Sequence, residues 1–280
     1  GFFLSGRELY TVIRGKEWVC RIDDSVFSSR AARQAFEGNI AAYDGKRVLK
    51  YLQSRGIETN VSFDILIAAY ITSSGSRDFS SAALLMQESQ VSGGDDPAIF
   101  GARFFDLADI YKKKLSEGRL REVFNTIEMP LIPILLRMEE RGIGLDSAFL
   151  RVLSGEVSGK IKKIEKEIFS LAAEEFNINS TQQLSRILFE KLKIGTKGLK
   201  KTEKGGKIST RESELEKLKG AHPIVENILS YRELAKLEST YIDALPALVN
   251  PKTGRIHTTF NQTGTSTGRF QPRGSPARRS

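Results

Sequence analysis

The stretch that decides the fold of this chain is DSAFLRVLSGEVSGKIKKIEKEIFSLAAEEF, residues 146–176. Its apolar side chains recur at intervals of three and four residues, the spacing of one face of an α-helix. These positions are Leu150, Leu153, Val157, Ile161, Ile164, Ile168 and Leu171. Asp146 and Ser147 precede the series and are typical N-cap residues. The stretch therefore predicts one long amphipathic helix.

Helical patterns continue on both sides of this stretch. Residues 123–142 are strongly apolar on one face, and the pattern stops at Gly142. Residues 178–192 predict another helix, which the chain enters through Asn179 and Ser180. Residues 222–249 predict the last long helix, with Pro223 in its first turn. From about residue 117 onward the chain is therefore expected to be mainly helical.

The N-terminal part of the sequence has a mixed α/β pattern. Residues 6–23 are rich in aromatic and β-branched side chains around a Gly-Lys turn, which predicts a β-hairpin. A short helix over 29–38, a strand over 39–45 and a helix ending at Gly56 follow. An apolar helix is expected to begin at the Phe63–Asp64 pair, and loops are expected at 73–81 and 90–97.

Composition narrows the possible classes of protein. The chain has 280 residues, enough for two ordinary domains, and its 43 Lys and Arg against 34 Asp and Glu give a net charge of +9. This charge suits a polyanionic partner, nucleic acid first. Cys20 is the only cysteine, so no internal disulfide can form and an intracellular location is expected. Two histidines without a CxxC pair predict no His/Cys zinc site, and no apolar run reaches the roughly 18 residues of a membrane span.

A lysine-rich segment, residues 193–210, separates two of the predicted helices. It holds one acid, Glu203, and six lysines: Lys193, Lys197, Lys200, Lys201, Lys204 and Lys207. Glycines make such a segment flexible, and its positive charge favours contact with phosphate groups. The alternative is a solvated loop without a partner. Its position at the tip of a helical pair, where a polyanion could reach it, favours the phosphate contact.

Four stretches, in order, resemble the family A DNA polymerases, the bacterial DNA polymerase I type. The family's connector from exonuclease domain to thumb resembles EMPLIPILLRMEERGIGLD, residues 128–146. The thumb and its tip loop resemble FNINSTQQLSRILFEKLKI (176–194) and KKTEKGGKIST (200–210). The passage from thumb to palm resembles YRELAKLESTYIDALPALVNPKTGRIHTTFNQTGTSTGR (231–269) nearly residue for residue. The resemblance covers about residues 40–269, weakly in the first third and strongly after 128.

The resemblance implies an α/β RNase H-like exonuclease-like domain, followed by a mainly α-helical polymerase thumb and the first strands of the palm. We assign residues 1–115 to the exonuclease-like domain, 116–250 to the connector and thumb, 251–270 to the start of the palm and 271–280 to an atypical basic tail. It further implies a DNA-directed DNA polymerase, a nucleotidyltransferase of DNA replication and repair, with primer–template duplex DNA as its partner. The full-length family enzyme uses magnesium and dNTP. This chain resembles a fragment of it, expected to be a cytoplasmic, nucleoid-associated monomer without a bound cofactor.

The resemblance also assigns DNA contacts. In the family the Arg of the TGR motif lies along the minor groove at the primer terminus, and Arg269 matches that position. The minor groove presents acceptors for every correctly shaped base pair, so a guanidinium can test geometry there without reading sequence. The family holds the duplex with its last thumb helix, which here carries Arg232 and Lys236 on one face. The other predicted contacts lie in matching thumb and palm segments: Asn177, Asn179, Ser180, Lys204, Ser209, Thr240, Asn261, Gln262 and Thr267.

Some of these polar residues have a purely structural alternative. Asn179 and Ser180 stand where a helix is predicted to begin and are typical caps, and one residue can serve both purposes. Asn261, Gln262 and Thr267 can instead satisfy turn and strand-end hydrogen bonds. The sequence does not decide between these alternatives.

The nuclease motifs of the family are degenerate in this sequence. Proofreading exonucleases of this type bind two metals through four acids in three motifs. The first motif, Asp-x-Glu on an early strand, has no counterpart, which a chain beginning after that strand would explain. The metal positions of the other two motifs hold Val48 and Leu107, and an aliphatic side chain cannot ligate magnesium. Asp106 and Asp109 are out of phase, and Asp64 is expected to be a structural acid at a helix start, so the domain resembles inactive exonuclease-like platforms.

The polymerase chemistry of the family follows the TGR segment, where palm carboxylates hold two magnesium ions and a fingers helix grips the nucleotide. This sequence instead ends in QPRGSPARRS, residues 271–280, whose composition suggests a shifted reading frame, a truncation or a divergent end. We therefore predict duplex binding without polymerisation and assign no catalytic or metal-binding residue. Three alternatives stay open: an active 3′–5′ exonuclease, a non-enzymatic DNA-binding protein, and a helical structural module whose basic loop is merely solvated.

Overall fold

The computed structural model describes most of the chain: residues 1–15, 19–28, 34, 36, 38–73, 76, 78–93, 95–195, 199–200, 208–265 and, for the backbone, 271–273. The contacts divide the chain into two compact units. The first unit contains Gly1–Gly142 and the returning segment that starts at His257, and the second contains Ile143–Ile256. Among the described residues, no helix has the length and apolar character needed to cross a bilayer.

A five-stranded sheet forms the centre of the first unit. Its strands are β1 (Phe2–Ser5), β2 (Glu8–Val12), β3 (Val19–Ile22), β4 (Asn39–Tyr43) and β5 (Asn60–Asp64). The order is β3-β2-β1-β4-β5; β1, β2 and β3 are antiparallel neighbours, whereas β4 and β5 run parallel to β1. The pairing of β2 with β3 confirms the predicted hairpin, and β4 confirms the predicted strand. The sequence patterns do not predict β1 or β5.

Helices cover this sheet. They are α1 (Gly45–Gln53), α2 (Ile65–Thr72), α3 (Ser81–Ser89), α4 (Pro97–Ala102), α5 (Phe104–Glu117), α6 (Arg121–Val123) and α7 (Met129–Arg141). A 3-10 turn spans Asp24–Ser28, and a π-helical turn, Phe124–Glu128, joins α6 to α7. Helices α1, α2 and α7 confirm predictions, whereas α3, α4 and α5 are not predicted. The helix expected over 29–38 falls largely outside the described residues.

Asp64 shows why α2 begins where the sequence predicts. Its side chain caps the helix, since Oδ1 accepts a hydrogen bond from the backbone N–H of Leu66 at 2.9 Å. Its second oxygen accepts from the N–H of Gly45 at 2.6 Å, where α1 begins. One buried carboxylate thus satisfies the free N–H groups of two helix starts. The prediction of a structural acid is confirmed.

The first unit has an apolar core on each face of the sheet. Alternate residues of β1 point to opposite faces; Phe3 lies in a cluster with Phe63 and Phe100, whereas Phe2 packs against a second cluster around Leu9. Helix α7 and the turn before it contribute Phe124, Ile132 and Leu136 to the first cluster. The core of the first unit therefore extends along the chain as far as Leu136.

The second unit is mainly helical. Its helices are α8 (Ser147–Ala172), α9 (Thr181–Ser185), α10 (Glu212–Leu215) and α11 (Pro223–Leu237). Arg186–Lys191 and Glu238–Ile242 are π-helical continuations of α9 and α11, and Glu216–Leu218 and Pro246–Leu248 are 3-10 turns. A small sheet joins β6 (Ile143–Gly144), β7 (Val249–Asn250) and β8 (Arg255–Ile256) in the order β6-β8-β7.

The long helix α8 confirms the prediction made from its apolar spacing. Asp146 caps it, accepting hydrogen bonds from the N–H groups of Ala148 and Phe149 at 3.1 and 2.9 Å. Helix α11 packs along it, and Pro223 stands in the first turn of α11 as predicted. Ile168 and Ala172 of α8 share one core with apolar residues of α9 and α11.

The returning segment joins the first unit rather than the second. Strand β9 (Thr259–Asn261) pairs antiparallel with β10 (Gln271–Arg273). The division of contacts therefore falls at Gly142 and Ile256, whereas the predicted boundaries are at residues 115 and 250. The difference arises because the apolar face of α7 packs on the core beneath the sheet. The assignment of these ranges to exonuclease-like, thumb and palm parts stays a prediction.

Candidate nucleic-acid interface

Helix α11 carries the predicted duplex contacts Arg232 and Lys236, and Thr240 follows four residues later in the π-helical turn. Residues four apart lie on one face of a helix, and a π-helical turn widens the spacing only locally. Lys236 is exposed in the last turn of α11 and forms no ion pair with any described residue. This face therefore presents an accessible ammonium group, the kind of donor that phosphates attract.

Arg232 is held inside the second unit. Its Nη1 donates to the carbonyl oxygen of Thr210 at 2.5 Å, and burial lowers the pKa of its guanidinium. This bond fixes the end of the lysine-rich segment against α11. A guanidinium has five N–H donors, so one internal bond does not use up the group. The predicted phosphate contact of Arg232 stays a prediction.

The segment next to Arg232 is ordered by internal bonds. Ser209 is buried; its hydroxyl accepts from the N–H of Arg211 at 3.3 Å, and its own N–H donates to Lys200 O at 2.9 Å. Glu214 receives the N–H of Lys200 at 3.1 Å and the ammonium of Lys217 at 2.8 Å. In this arrangement the Ser209 side chain is a turn group. The DNA contact of Ser209 stays a prediction.

Asn177, Asn179 and Ser180 form the entry to α9. The Asn177 side chain accepts from the N–H of Asn179 at 3.0 Å, and the Ser180 hydroxyl caps the helix by accepting from Gln183 N at 3.4 Å. Ser180 is thus the N-cap of α9, as the structural alternative predicts, whereas Asn179 does not cap this helix. Both asparagines are exposed, so contact with DNA stays open to them.

Asn261 and Gln262 lie in the first unit, at the end of β9. The Asn261 Oδ1 accepts from both the N–H and the hydroxyl of Thr263 at 3.1 Å, which makes it a turn residue. Gln262 is only 6% exposed, and its Nε2 donates to the carbonyl oxygen and the carboxylate of Glu128 at 2.9 and 2.5 Å. Both residues therefore make internal hydrogen bonds of the kind expected at turns and strand ends. These bonds are the structural alternative to DNA contact that the sequence analysis describes. Thr267, Arg269 and Lys204 lie outside the described residues.

Sequence reasoning missed the residues that hold β9. Glu139 Oε1 accepts the N–H of Phe260 at 2.9 Å and the ammonium of Lys46 at 2.5 Å. Glu139 follows Ile132, Leu135 and Leu136 at helical spacing, on the buried face of α7. An acidic residue at the helical spacing of buried apolar residues is the sequence signal that would have identified Glu139, because a buried carboxylate requires a partner.

Carboxylates line a cavity of 440 Å³ in the first unit. Asp44 and Asp64 both face it, at the ends of β4 and β5. Burial, and then the charge of Asp44, raise the pKa of Asp64 to about 7. Among the described residues, no group of three or more His, Cys, Asp or Glu side chains is arranged to hold a metal ion.

Replacing Asp44 by asparagine should make the stability of the first unit less dependent on pH. A carboxylate with a raised pKa binds its proton more tightly in the folded state, so its stabilisation is present below about pH 4 and is lost as the pH rises through about 7. Asparagine keeps the cap to Arg47 N and suits the left-handed backbone at φ 57°, but removes the charge that raises the Asp64 pKa. The variant should therefore gain about 1 kcal/mol relative to wild type between about pH 5 and pH 8 in urea unfolding.

The control for this measurement is Asp95→Asn, which removes an exposed acid of the same unit. Its stability difference from wild type should stay flat over the same pH range. A flat difference for Asp44→Asn as well would show that neither the burial of Asp44 nor its charge beside Asp64 makes the stability depend on pH.

Comparison with known proteins adds independent information. Residues 147–275 match the family described as DNA polymerase family A. The thermostable DNA polymerase I of Thermus aquaticus is 52% identical over 163 residues, which cover 58% of this chain and 19% of that protein. DNA polymerase I of Geobacillus stearothermophilus is 36% identical over 250 residues, or 81% of this chain and 28% of that protein.

A solved structure resembles most of the chain. It is the POL domain of Pol1 from M. smegmatis in complex with DNA primer-template and dNTP. The TM-score is 0.79 at 27% sequence identity, and the similarity covers 95% of this chain and 48% of that one. The chain thus spans less than a third of the curated relatives named above and about half of the solved polymerase domain.

Proposed function

Because the chain belongs to DNA polymerase family A, we propose that it is part of an enzyme that synthesises DNA on a primer–template, and that its second unit binds the duplex. The observation that carries this proposal is the exposed Lys236 on α11, in a segment that matches the family from residue 147 to 275. A solved relative was captured with primer-template DNA and dNTP, which supports the same partner here.

The proposed binding mode is contact with the phosphate backbone without reading of sequence. Lysine and arginine that neutralise phosphates release counterions, so affinity falls steeply as salt rises. Backbone contacts fix the position of a protein on a duplex but carry no sequence information. A polymerase must bind every sequence that it copies, so this mode suits the proposed role.

Replacing Lys236 by alanine is expected to weaken binding to a labelled primer–template duplex by roughly three- to tenfold at about 0.1 M salt. The slope of log affinity against log salt should also become shallower by about 0.9, the value for one lost phosphate contact. Fluorescence anisotropy at several salt concentrations measures both quantities on the 280-residue chain.

The matched control is Lys252→Ala, which removes one exposed charge from a turn of the same unit. It should leave both the affinity and the slope near their wild-type values. Equal losses in the two variants would mean that only the net charge of the unit matters. Absence of binding by the wild-type chain even at low salt would favour the plain helical module.

We further propose that the first unit is an RNase H-like, exonuclease-like domain without metal-dependent activity. The strand order β3-β2-β1-β4-β5, in which only β2 runs opposite to the other four strands, supports that fold. Its central strand β1 consists of Phe2, Phe3, Leu4 and Ser5, none of which is an acid. Val48 and Leu107, at the metal positions of the motifs, are both fully buried aliphatic residues.

These residues do not fit a magnesium site, because magnesium requires oxygen ligands. We therefore assign no metal-dependent step to this chain. The test is trimming of a labelled single strand with magnesium present, and we expect no shortening of the strand. Magnesium-dependent shortening that survives repurification would instead favour the active exonuclease and would overturn this second proposal.

A further inference from the structure

The segment that returns to the first unit, residues 257–265, is fastened there at three places. The first is Glu139 of α7, whose backbone carbonyl is 2.8 Å from the Nδ1 of His257 and whose Oε1 accepts the N–H of Phe260 at 2.9 Å. Lys46 of α1 completes this contact, since its ammonium donates both to Glu139 and to the carbonyl oxygen of Phe260.

The Lys46–Glu139 pair occupies the outer edge of β9. In an extended strand the N–H and C=O of one residue point to the same side, and those of its neighbours point to the other. Phe260 lies opposite Pro272 of β10, and its two backbone groups bond instead to the ion pair. The Glu139 carboxylate and the Lys46 ammonium thus bond to the N–H and C=O of Phe260, which a neighbouring strand would otherwise pair at this edge.

The other two fastenings lie further along the segment. Gln262 Nε2 donates to the carbonyl oxygen and the carboxylate of Glu128, at the start of α7. The hydroxyl of Tyr70, in α2, donates to the carbonyl oxygen of Thr265 at 2.7 Å. Three separate helices of the first unit, α1, α2 and α7, therefore hold nine consecutive residues.

Between these fastenings lies Asn261. Its Oδ1 is turned inward to Thr263, and its Nδ2 makes no hydrogen bond within the described part of the chain. An amide N–H donor suits the purine N3 and pyrimidine O2 acceptors that every base pair presents in the minor groove. Such a donor contributes most to binding when its side chain is already held in place, because ordering a side chain or loop on binding costs free energy and weakens the affinity.

We propose that Lys46, Glu139, Glu128 and Tyr70 are positioning residues, through which the exonuclease-like unit holds Asn261 ready for the duplex. The inference rests on the duplex binding proposed above. It gives this unit a role in DNA binding that requires no nuclease chemistry. A buried ion pair is a weak source of stability compared with apolar side chains of the same size, so the charges are better explained by the backbone groups that they hold.

Hydrogen exchange of the 280-residue chain tests the holding step directly. In Glu139→Ala the protection of the Phe260 amide should fall by at least about tenfold, and protection at Thr263 should fall with it. Glu139→Gln keeps an acceptor oxygen and should retain most of the protection. Glu140→Ala, an exposed neighbour on α7, should change nothing. Equal protection in Glu139→Ala and Glu140→Ala would overturn the proposal.

A double-mutant cycle tests the link to DNA. Glu139→Ala should weaken duplex binding by roughly two- to tenfold when Asn261 is present, and by much less in the Asn261→Ala background, because coupled residues are not additive. Full additivity, with clear wild-type binding, would overturn the inference and leave the proposed function standing. Absence of wild-type binding would overturn the proposed function and this cycle together, while the exchange result still decides the holding step.

Tyr70→Phe provides a second variant should Glu139→Ala fail to fold. It removes one hydroxyl and keeps the ring that packs edge-on against Phe79 with centroids 5.8 Å apart. The same loss of protection, centred on Thr265 and its neighbours, and the same dependence on Asn261 are expected. Wild-type protection and wild-type affinity in this variant would count against the proposal.

Discussion

Replacing Lys46 by methionine is expected to lower the free energy of unfolding of the first unit by about 3 kcal/mol. The Glu139 side chain is 3% exposed and the Lys46 side chain 15%, with 2.5 Å between Nζ and Oε1. Methionine keeps the apolar stem but leaves the carboxylate buried without its main counter-charge. Lys50 remains 3.7 Å from the other carboxylate oxygen, which places the effect at the low end of the usual cost of breaking such a pair. Urea unfolding of both proteins at the same pH measures the difference.

Lys50→Met is the matched control for this prediction. Lys50 lies on the same helix and pairs with the same carboxylate, but its side chain is 57% exposed. Its removal should cost less than about 1 kcal/mol, as for other exposed ion pairs. The double variant K46M/E139Q removes both charges and keeps an acceptor for Phe260, so it should recover much of the loss. Equal costs for the two single lysine variants would show that burial does not strengthen the Lys46 contact.

Replacing Leu136 by alanine is expected to destabilise the first unit by about 3 kcal/mol. Leu136 is 0% exposed and lies in the same apolar cluster as Phe3 and Phe63 of the sheet. Deleting its buried carbons leaves a cavity that the surrounding side chains fill only in part. The loss should appear as faster hydrogen exchange in β1 and β4, the central strands, because α7 packs on their core.

Ile134→Ala is the control on the same helix. Ile134 is 42% exposed and stands two residues away, so its truncation should change the free energy of unfolding by about 0.5 kcal/mol or less. The comparison also tests the domain division. If α7 belonged instead to a separate connector, as the boundary predicted at residue 115 implies, Leu136→Ala would leave the exchange of the strand amides at the wild-type level.

The sequence was sufficient for the long helices of the second unit. The apolar spacing of residues 150–171 fixes α8, Asp146 fixes its start, and Pro223 fixes the start of α11. These signals are local, because a helix bonds residues four apart and shows its buried face every three or four residues. The resemblance to family A polymerases depends on segments of the same kind, and the comparisons confirm it.

The first unit was less predictable from sequence. Strand β1 has only four residues, and its side chains are apolar on both faces, so it lacks the alternation that marks a half-buried strand. Helices α3, α4 and α5 were not predicted; the loops predicted at 73–81 and 90–97 lie on either side of α3 and end where α4 begins. Two residues of these loops, Ser80 and Asp96, are in fact the N-caps of α3 and α4.

The sequence by itself thus determined the long helices of the second unit, the hairpin and the resemblance to family A polymerases. Only the tertiary structure decided that residues 257–265 belong to the first unit, that Gln262 is held by Glu128, and that Lys46 and Glu139 satisfy the backbone of Phe260. The physical reason is sequence distance. Lys46 and Phe260 are separated by 214 positions, and no local pattern records which buried charge will meet which strand edge.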